Sequence, residues 1–399
     1  MKINKLAIDG GLPVRKNFLQ YGKQSITEND INRVQNVLRS DFLTSGPNVT
    51  KFEEDLSEFC GTKYAVTLNS GTAALHGMYS SVGLSVDDEV IVPAITFAAT
   101  ANAAIYCGAK PVLADIDPET MLVDSGDIES KITTKTKIIT GVDYAGQIVD
   151  YDEIKKIKNS IDKNINVFAD AAHSFGAFQS NRKSGSIADA SSFSFHPVKG
   201  ITTGEGGAVT TDNQMIYKKI KQFRNHGIST EFQERNRNNT WEYDIPEIGY
   251  NYRLSDIHAA LGSSQITSVD SKINIRRNIA KNYDIAIRDI NGITSLKTLT
   301  KNIHSYHIYV VIIDLNQFKV DRNQFFLALR SENIGVNVHY IPLYEHTFFK
   351  NFGFIQSDYP NSRYIYDRII TLPLWPDMSE YDINSVIEAL KKVAKAYKR

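Results

Sequence analysis

The period of the apolar positions changes several times along the chain. From about residue 29 to 60 they fall at helical spacing, with Val34, Val37 and Leu38 and then Phe52, Leu56 and Phe59, which predicts a helical opening segment. Beyond residue 63 short apolar runs take over, each closed by small or polar residues. They predict strands at 64–68, 89–93, 111–115, 137–142, 166–170, 190–195 and 208–211, with helices at 73–82, 98–107 and 151–158 between them. Strands that read as continuous apolar runs are buried on both faces, so the pattern implies βαβ units around a mainly parallel sheet covered by helices. In such α/β sheets ligands sit beyond the carboxyl ends of the strands. After residue 257 the texture changes to a helical stretch, 257–290, with Lys and Arg along one face. A smaller α/β portion follows, with strands at 307–313 and 335–339 and a final helix at 381–397. The expected organisation is a large domain over 1–267, including the N-terminal segment, and a smaller C-terminal α/β domain over 268–399.

Composition narrows the function classes. The 399 residues are 42% hydrophobic and 23% charged, and Lys plus Arg and Asp plus Glu both total 45, so the net charge is zero. A nucleic-acid or membrane-surface binder usually carries a basic excess, so neither partner is expected. Cys60 and Cys107 are too few for a disulfide framework or a Cys-rich metal site, and no metal is expected. The N-terminus lacks the apolar core of a secretory signal. Residues 90–109 are uncharged and long enough to span a bilayer, but Pro93, Asn102 and several threonines interrupt them. They read as strand, loop and packed helix, and the expected location is cytoplasmic.

The polar clusters after each strand hold the candidate chemistry. Asp170 ends the run NVFAD, where it either caps the next helix or points along the strand into the ligand crevice. Lys199 follows the run ASSFSF and the residue Pro197, which cannot continue smoothly into a helix, so it sits on an irregular loop ahead of Gly204-Glu205-Gly206-Gly207. Alone, a loop lysine is solvated surface and a Gly-rich tract is a turn. Gly71 and Thr72 lie where a strand meets a helix, which serves equally as a capping turn or an anion site. Ser194 adds a hydroxyl five residues before Lys199, and Phe97 is an aromatic beyond the strand at 89–93. A carboxylate, a lysine, an anion site and a flat ring are together what pyridoxal phosphate demands of a protein. A dinucleotide reading of the Gly-rich tract fails, because that tract has no G-x-G-x-x-G pattern and does not follow the first strand.

An ordered set of motifs carries a resemblance. LTSGP (Leu43 to Pro47), NSGTAAL, PAITFAATANA, VDYAG, DAAHSFGA, FSFHPVKGITTGEGG, FRNHGI, GYNYRLSDIHAALG and HYIPLY occur in this order. Together they resemble the DegT/DnrJ/EryC1/StrS sugar aminotransferases, a branch of the fold-type I pyridoxal-phosphate enzymes. The resemblance implies a Schiff-base role for Lys199, which would also carry protons between cofactor and sugar carbons. It implies pairing of Asp170 with the pyridine nitrogen, and contact of His173 with the cofactor 3-hydroxyl. Gly71, Thr72 and Ser194 would bind the phosphate, with Phe97 stacked on the ring. Asn251 would reach the same phosphate from a neighbouring subunit, in a homodimer with shared sites. Thr44, His339 and Tyr340 would meet substrate. Glutamate would donate the amino group and a nucleotide-linked 4-keto-6-deoxy sugar would accept it.

Within the family, YGKQSI, DFLTSGP, ATANAAIYCGAKPV and WEYDIPEIGYNYRLSDIHAALG are most similar to the branch serving pseudaminic acid biosynthesis, whose product is UDP-4-amino-4,6-dideoxy-N-acetyl-β-L-altrosamine. Gly71-Thr72 and the start IDGGLPVR follow the wider family, which also includes amination of other UDP-, GDP- or dTDP-linked sugars. Sugar dehydratases of the same fold carry histidine where this chain has Lys199. A non-catalytic homologue would have no need of that lysine.

Overall fold

The computed structural model describes residues 5–230, 235 and 238–399. The opening segment is two helices, not one. Helix α1 (Glu28–Leu38) starts at a capping box formed by Thr27 and Asp30. Helix α2 (Pro47–Cys60) starts with Pro47 in its first turn and stops at Gly61, whose φ of 74° is left-handed. The residue before a proline is pushed out of the helical region, which fixes where α2 begins, whereas α1 has already ended at Leu38.

Next come β1 (Tyr64–Leu68), α3 (Gly71–Ser80), β2 (Glu89–Pro93), α4 (Ala99–Tyr106), β3 (Lys110–Ala114), α5 (Ser125–Lys131), β4 (Thr136–Val142), α6 (Tyr151–Ile161) and β5 (Asn166–Asp170). A short hairpin, β6 (Phe178–Gln179) and β7 (Arg182–Lys183), leads to β8 (Ala190–Ser194), β9 (Gly207–Thr211) and α7 (Gln214–Phe223). The main sheet has seven strands in the order β1-β9-β8-β5-β4-β2-β3. Pairings from β8 to β3 are parallel, and β9 runs antiparallel to both its neighbours. The sheet is therefore mainly parallel, as expected. Side chains alternate between two apolar layers, with Ile91, Ile139 and Val167 on one face and Val92, Ile138 and Phe168 on the other. Residues 90–109 divide into β2, a loop and α4. Among the described residues no helix is long and apolar enough to cross a membrane.

The helical stretch expected over 257–290 is broken into α8 (Asp256–Ile266) and α9 (Val269–Ile287). Its cations do not all face solvent. Arg276 is buried and donates to the carbonyls of Tyr306, His307 and Leu374 at 3.3, 3.2 and 3.1 Å. Helix α9 touches both halves of the molecule, since Val269 and Ile273 join the main-sheet core while Ile279, Tyr283 and Ile287 join a second core. That second core surrounds a three-stranded sheet of β10 (Ile293–Ser295), β12 (Tyr309–Ile313) and β13 (Ile369–Leu372). Strand β11 (Asn302–Ile303) instead pairs with β6. Helices α10 (Arg322–Ser331), α11 (Thr347–Lys350), α12 (Pro360–Tyr366) and α13 (Glu380–Tyr397) complete the chain. Leu6 and Leu19, near the N-terminus, pack into the second core.

Residues 335–339 do not form the expected strand. Gly335 N donates to Leu19 O at 2.7 Å, and Asn337 exchanges bonds of 3.1 and 2.7 Å with Thr371 of β13, while its side chain takes the Val338 N–H at 2.8 Å. That side-chain bond turns the chain away from the sheet and along the wall of the cavity described next.

Candidate active site

Where the parallel strands end, the sheet register sets polar groups side by side. Val142 lies opposite Asp170, Asp170 opposite Ser192, and Ser194 opposite Gly207, which in turn faces Leu68. Above this row is a cavity of about 480 Å³, closed on its other side by Tyr21, His307 and residues 337–340. Gly71, Thr72, Phe97, Asp170, His173, Ser194, Lys199, His339 and Tyr340 all line it.

Lys199 is placed by a loop pinned to the buried Phe195. The Phe195 carbonyl accepts from Thr203 N at 3.0 Å and Thr202 Oγ1 at 3.1 Å, and its N–H donates to Gly206 at 2.9 Å. Lys199 N then donates to His196 O at 2.9 Å, closing a turn across Pro197 and Val198. Burial lowers the Lys199 amine to about 8, while the nearby Asp170 charge acts in the opposite direction. Asp170 is buried at the end of β5, and its carboxylate accepts from Thr100 Oγ1 at 2.7 Å and Ala172 N at 3.2 Å. Burial raises its pKa, and the Thr100 bond, the Ala172 bond and the Lys199 charge oppose that rise. Thr100 spends its proton on Asp170, so the Thr96 hydroxyl at 2.8 Å donates to Thr100 in turn.

His173 has both ring nitrogens engaged. Ala145 N donates to Nδ1 at 3.3 Å, so the neutral ring carries its proton on Nε2 and donates to Tyr340 Oη at 3.0 Å. Burial and the Lys199 charge push its pKa well below the usual range. At the β1–α3 turn, Ser70 Oγ caps Ala73 N at 3.0 Å, which leaves the Gly71 and Thr72 N–H groups at the open end of α3 without intrahelical acceptors. A Cβ on Gly71 would lie 2.7 Å from Ser194 Cβ, so glycine is what lets this turn close on the Ser194 strand end. Phe97 is 58% exposed, an unusual setting for a large aromatic, and its ring is 5.9 Å from that of Tyr340.

The chain does not bring Thr44 or Asn251 into this cavity. Thr44 is exposed and bridges Ser255. Asn251 is exposed, bridges Asn225, and accepts from Asn69 Nδ2 at 3.4 Å. Sequence reasoning did not single out Tyr21, Thr96, Thr100 or His307. Thr100 was marked only by standing one residue into a helix beyond Phe97, and His307 only by preceding an apolar run.

The donor set fits pyridoxal phosphate. The amine loses its proton more readily than an ordinary lysine, a buried carboxylate stands on the sheet floor, helix-end N–H groups flank the Ser194 hydroxyl, and a flat ring is exposed on the wall. A sequence profile of the DegT/DnrJ/EryC1/StrS aminotransferase family matches residues 24–391. The spore coat polysaccharide biosynthesis protein SpsC of Bacillus subtilis is 37% identical over 384 residues, 96% of this chain and 98% of that one. The UDP-4-amino-4,6-dideoxy-N-acetyl-beta-L-altrosamine transaminase of Campylobacter jejuni is 36% identical over 388 residues, 95% of this chain and 100% of that one. Among solved structures, Helicobacter pylori PseC, an aminotransferase involved in pseudoaminic acid biosynthesis, matches with a TM-score of 0.89 at 32% identity, covering 96% of this chain and 100% of that chain. The profile spans nearly the whole chain and these relatives align end to end, so the chain belongs to the DegT/DnrJ/EryC1/StrS family of pyridoxal-phosphate-dependent sugar aminotransferases.

Proposed function

We propose that this enzyme moves the amino group of glutamate to carbon 4 of a nucleotide-linked 4-keto-6-deoxy sugar, and that its product is UDP-4-amino-4,6-dideoxy-N-acetyl-β-L-altrosamine. The observation that carries the reaction type is Lys199, its amine lowered to about 8, facing the same cavity as the buried Asp170. Similarity to the Campylobacter jejuni transaminase supports the sugar.

Pyridoxal phosphate supplies an electron sink beside the carbon that loses or gains a proton. Lys199 would hold the cofactor, and its amine would carry the proton to and from the reacting carbon. Asp170 would keep a proton on the ring nitrogen, and the Thr100 bond favours the carboxylate's charged form. The N–H groups of Gly71 and Thr72 and the hydroxyls of Thr72 and Ser194 receive the phosphate. Phe97 would pack against the ring, and the paired His173 and Tyr340 present a polar edge to the cavity that Lys199 lines. The partner's Asn251 completes the phosphate site in a homodimer, since each chain leaves its own Asn251 outside its own cavity. A lysine at position 199, where the dehydratases of this fold carry histidine, favours amination of the sugar over its deoxygenation.

The test has two arms. Borohydride reduction of the cofactor-loaded protein should fix the label on Lys199; a label elsewhere refutes the site. UDP-, GDP- and dTDP-linked 4-keto sugars are then screened with glutamate by following 2-oxoglutarate. Turnover confined to a GDP- or dTDP-linked sugar refutes the proposed product.

A further inference from the structure

Three buried histidines, His173, His307 and His339, line the cavity around Lys199, and the Lys199 charge reaches all three. His173 is engaged through both ring nitrogens, and His339 gives Nδ1 to Thr371 Oγ1 at 2.8 Å. His307 differs. It is only 6% exposed, its ring centroid is 4.3 Å from that of His173, and its buried Nδ1 has no hydrogen-bond partner. Among the described residues its Nε2 has none either, yet unlike Nδ1 it is not fully enclosed, and His307 lines the cavity. Its backbone is fixed, since Arg276 donates to the His307 carbonyl at 3.2 Å and Ser305 Oγ donates to the carbonyl of His173 at 3.1 Å.

The tautomer follows from where each nitrogen points. A buried N–H without an acceptor is the rarer and costlier orphan, so the neutral ring leaves Nδ1 bare and carries its proton on Nε2. His307 therefore presents an unspent N–H donor to the space around Lys199. We propose that this donor recognises the α-carboxylate of the amino-group donor, an inference that rests on the proposed glutamate-to-sugar transfer.

The chemistry of the two substrates singles out the carboxylate. In an α-amino acid the carboxylate is bonded to the reacting carbon, so it must lie within a bond or two of the atom that Lys199 serves. In the nucleotide sugar the charge is on the diphosphate, remote from the keto carbon. Among the described side chains lining the cavity, Lys199 alone is a Lys or Arg, and it is committed to the reaction. A neutral imidazole N–H suits both half-reactions. It makes a charge-assisted bond to the carboxylate, and it meets an uncharged sugar hydroxyl later without leaving a buried cation unpaired.

His307→Phe keeps a ring against His173 and removes the donor. His307→Gln carries an amide near the position of Nε2, and His307→Asn carries it near Nδ1, out of the cavity. Glutarate, a dicarboxylate that cannot react, is titrated into each holoenzyme by calorimetry, and KM is measured for glutamate and for the keto sugar. The Phe and Asn variants should bind glutarate about tenfold or more weakly, the loss of one charge-assisted hydrogen bond, with a matching rise in the glutamate KM. The sugar KM should change far less, and Gln should recover most of the loss. Unchanged glutarate affinity in both the Phe and Asn variants, or a rise confined to the sugar KM, overturns the assignment. A wild-type enzyme that forms no 2-oxoglutarate from glutamate overturns the proposed reaction itself, which is a separate measurement from any comparison of variants.

Discussion

Lys199 has an amine near 8 for one dominant reason: burial penalises its charged form, and Asp170 restores only part of the loss. The sign of the pH effect is set by that direction. Cofactor capture requires the unprotonated amine, so in the apo-protein its rate should climb with pH and level off above about 8. An ordinary exposed lysine would keep climbing to about 10.4. Stopped-flow growth of the imine absorbance across that range checks the position of the plateau. Asp170 depends on Thr100 in a comparable way. Thr100→Val keeps the shape of the side chain but removes the 2.7 Å donor, so the carboxyl, already raised by burial, should rise further. The expected result is about tenfold weaker retention of cofactor, the scale of one hydrogen bond to a charged group, read by equilibrium dialysis. An unchanged dissociation constant would mean that burial and Ala172 alone position Asp170.

The phosphate end is a property of packed elements. The β1–α3 turn rests on β8 and β9 so closely that a Cβ on Gly71 would lie 2.7 Å from Ser194 Cβ, and one on Gly207 would lie 2.4 Å from the Ser70 carbonyl. Gly71→Ala should force the turn off the Ser194 strand end, costing about 1–3 kcal/mol of stability through overpacking. It should also weaken binding of the cofactor more than that of its phosphate-free analogue pyridoxal. Thermal unfolding and parallel titrations separate the two effects. At this scale the sequence was legible where burial is simple. Strands β1, β2 and β5 coincide with the apolar runs residue for residue, because strands covered on both faces admit nothing else. Asp170 could be found because it ends such a run, and Lys199 because it stands on the Pro-interrupted loop after the run 190–195. The limits lay where tertiary contacts override local pattern. Residues 39–46 separate α1 from α2 within one helical period, with Pro47 opening the second, and the side-chain bond of Asn337 turns a β-like run into cavity wall. Thr100 and His307 were invisible for a related reason. A threonine early in a helix and a histidine before a strand are commonplace, and only the bond from Thr100 to Asp170, or the docking of the Ser305 segment on the His173 turn, gives them roles.

For the whole molecule, the residues that the resemblance ties to the phosphate are divided between two places. Gly71, Thr72 and Ser194 line the cavity, whereas Asn251 is on the surface, held by Asn225 and Asn69. The segment leading to it exposes large apolar side chains, with Trp241 82% and Ile248 83% accessible. Scattered exposed hydrophobics are ordinary, but a run of them beside an unplaced ligand residue suits a face covered by a second copy. The proposed homodimer makes a prediction that separates a shared site from mere association. Lys199→Ala removes the reacting amine from a chain's own cavity, while Asn251→Asp places a negative charge against the phosphate held by the other chain. Each homodimer then carries two damaged sites and should be nearly inactive. Unfolded together and refolded at equal concentration, the two variants should form about half heterodimers. In each heterodimer one site collects both lesions and the other collects neither, so about a quarter of wild-type activity should return. If Asn251 served its own chain, every site in the mixture would keep one lesion and no activity would be regained. Recovery on mixing, with neither variant active alone, can arise only if residues from two chains build one site.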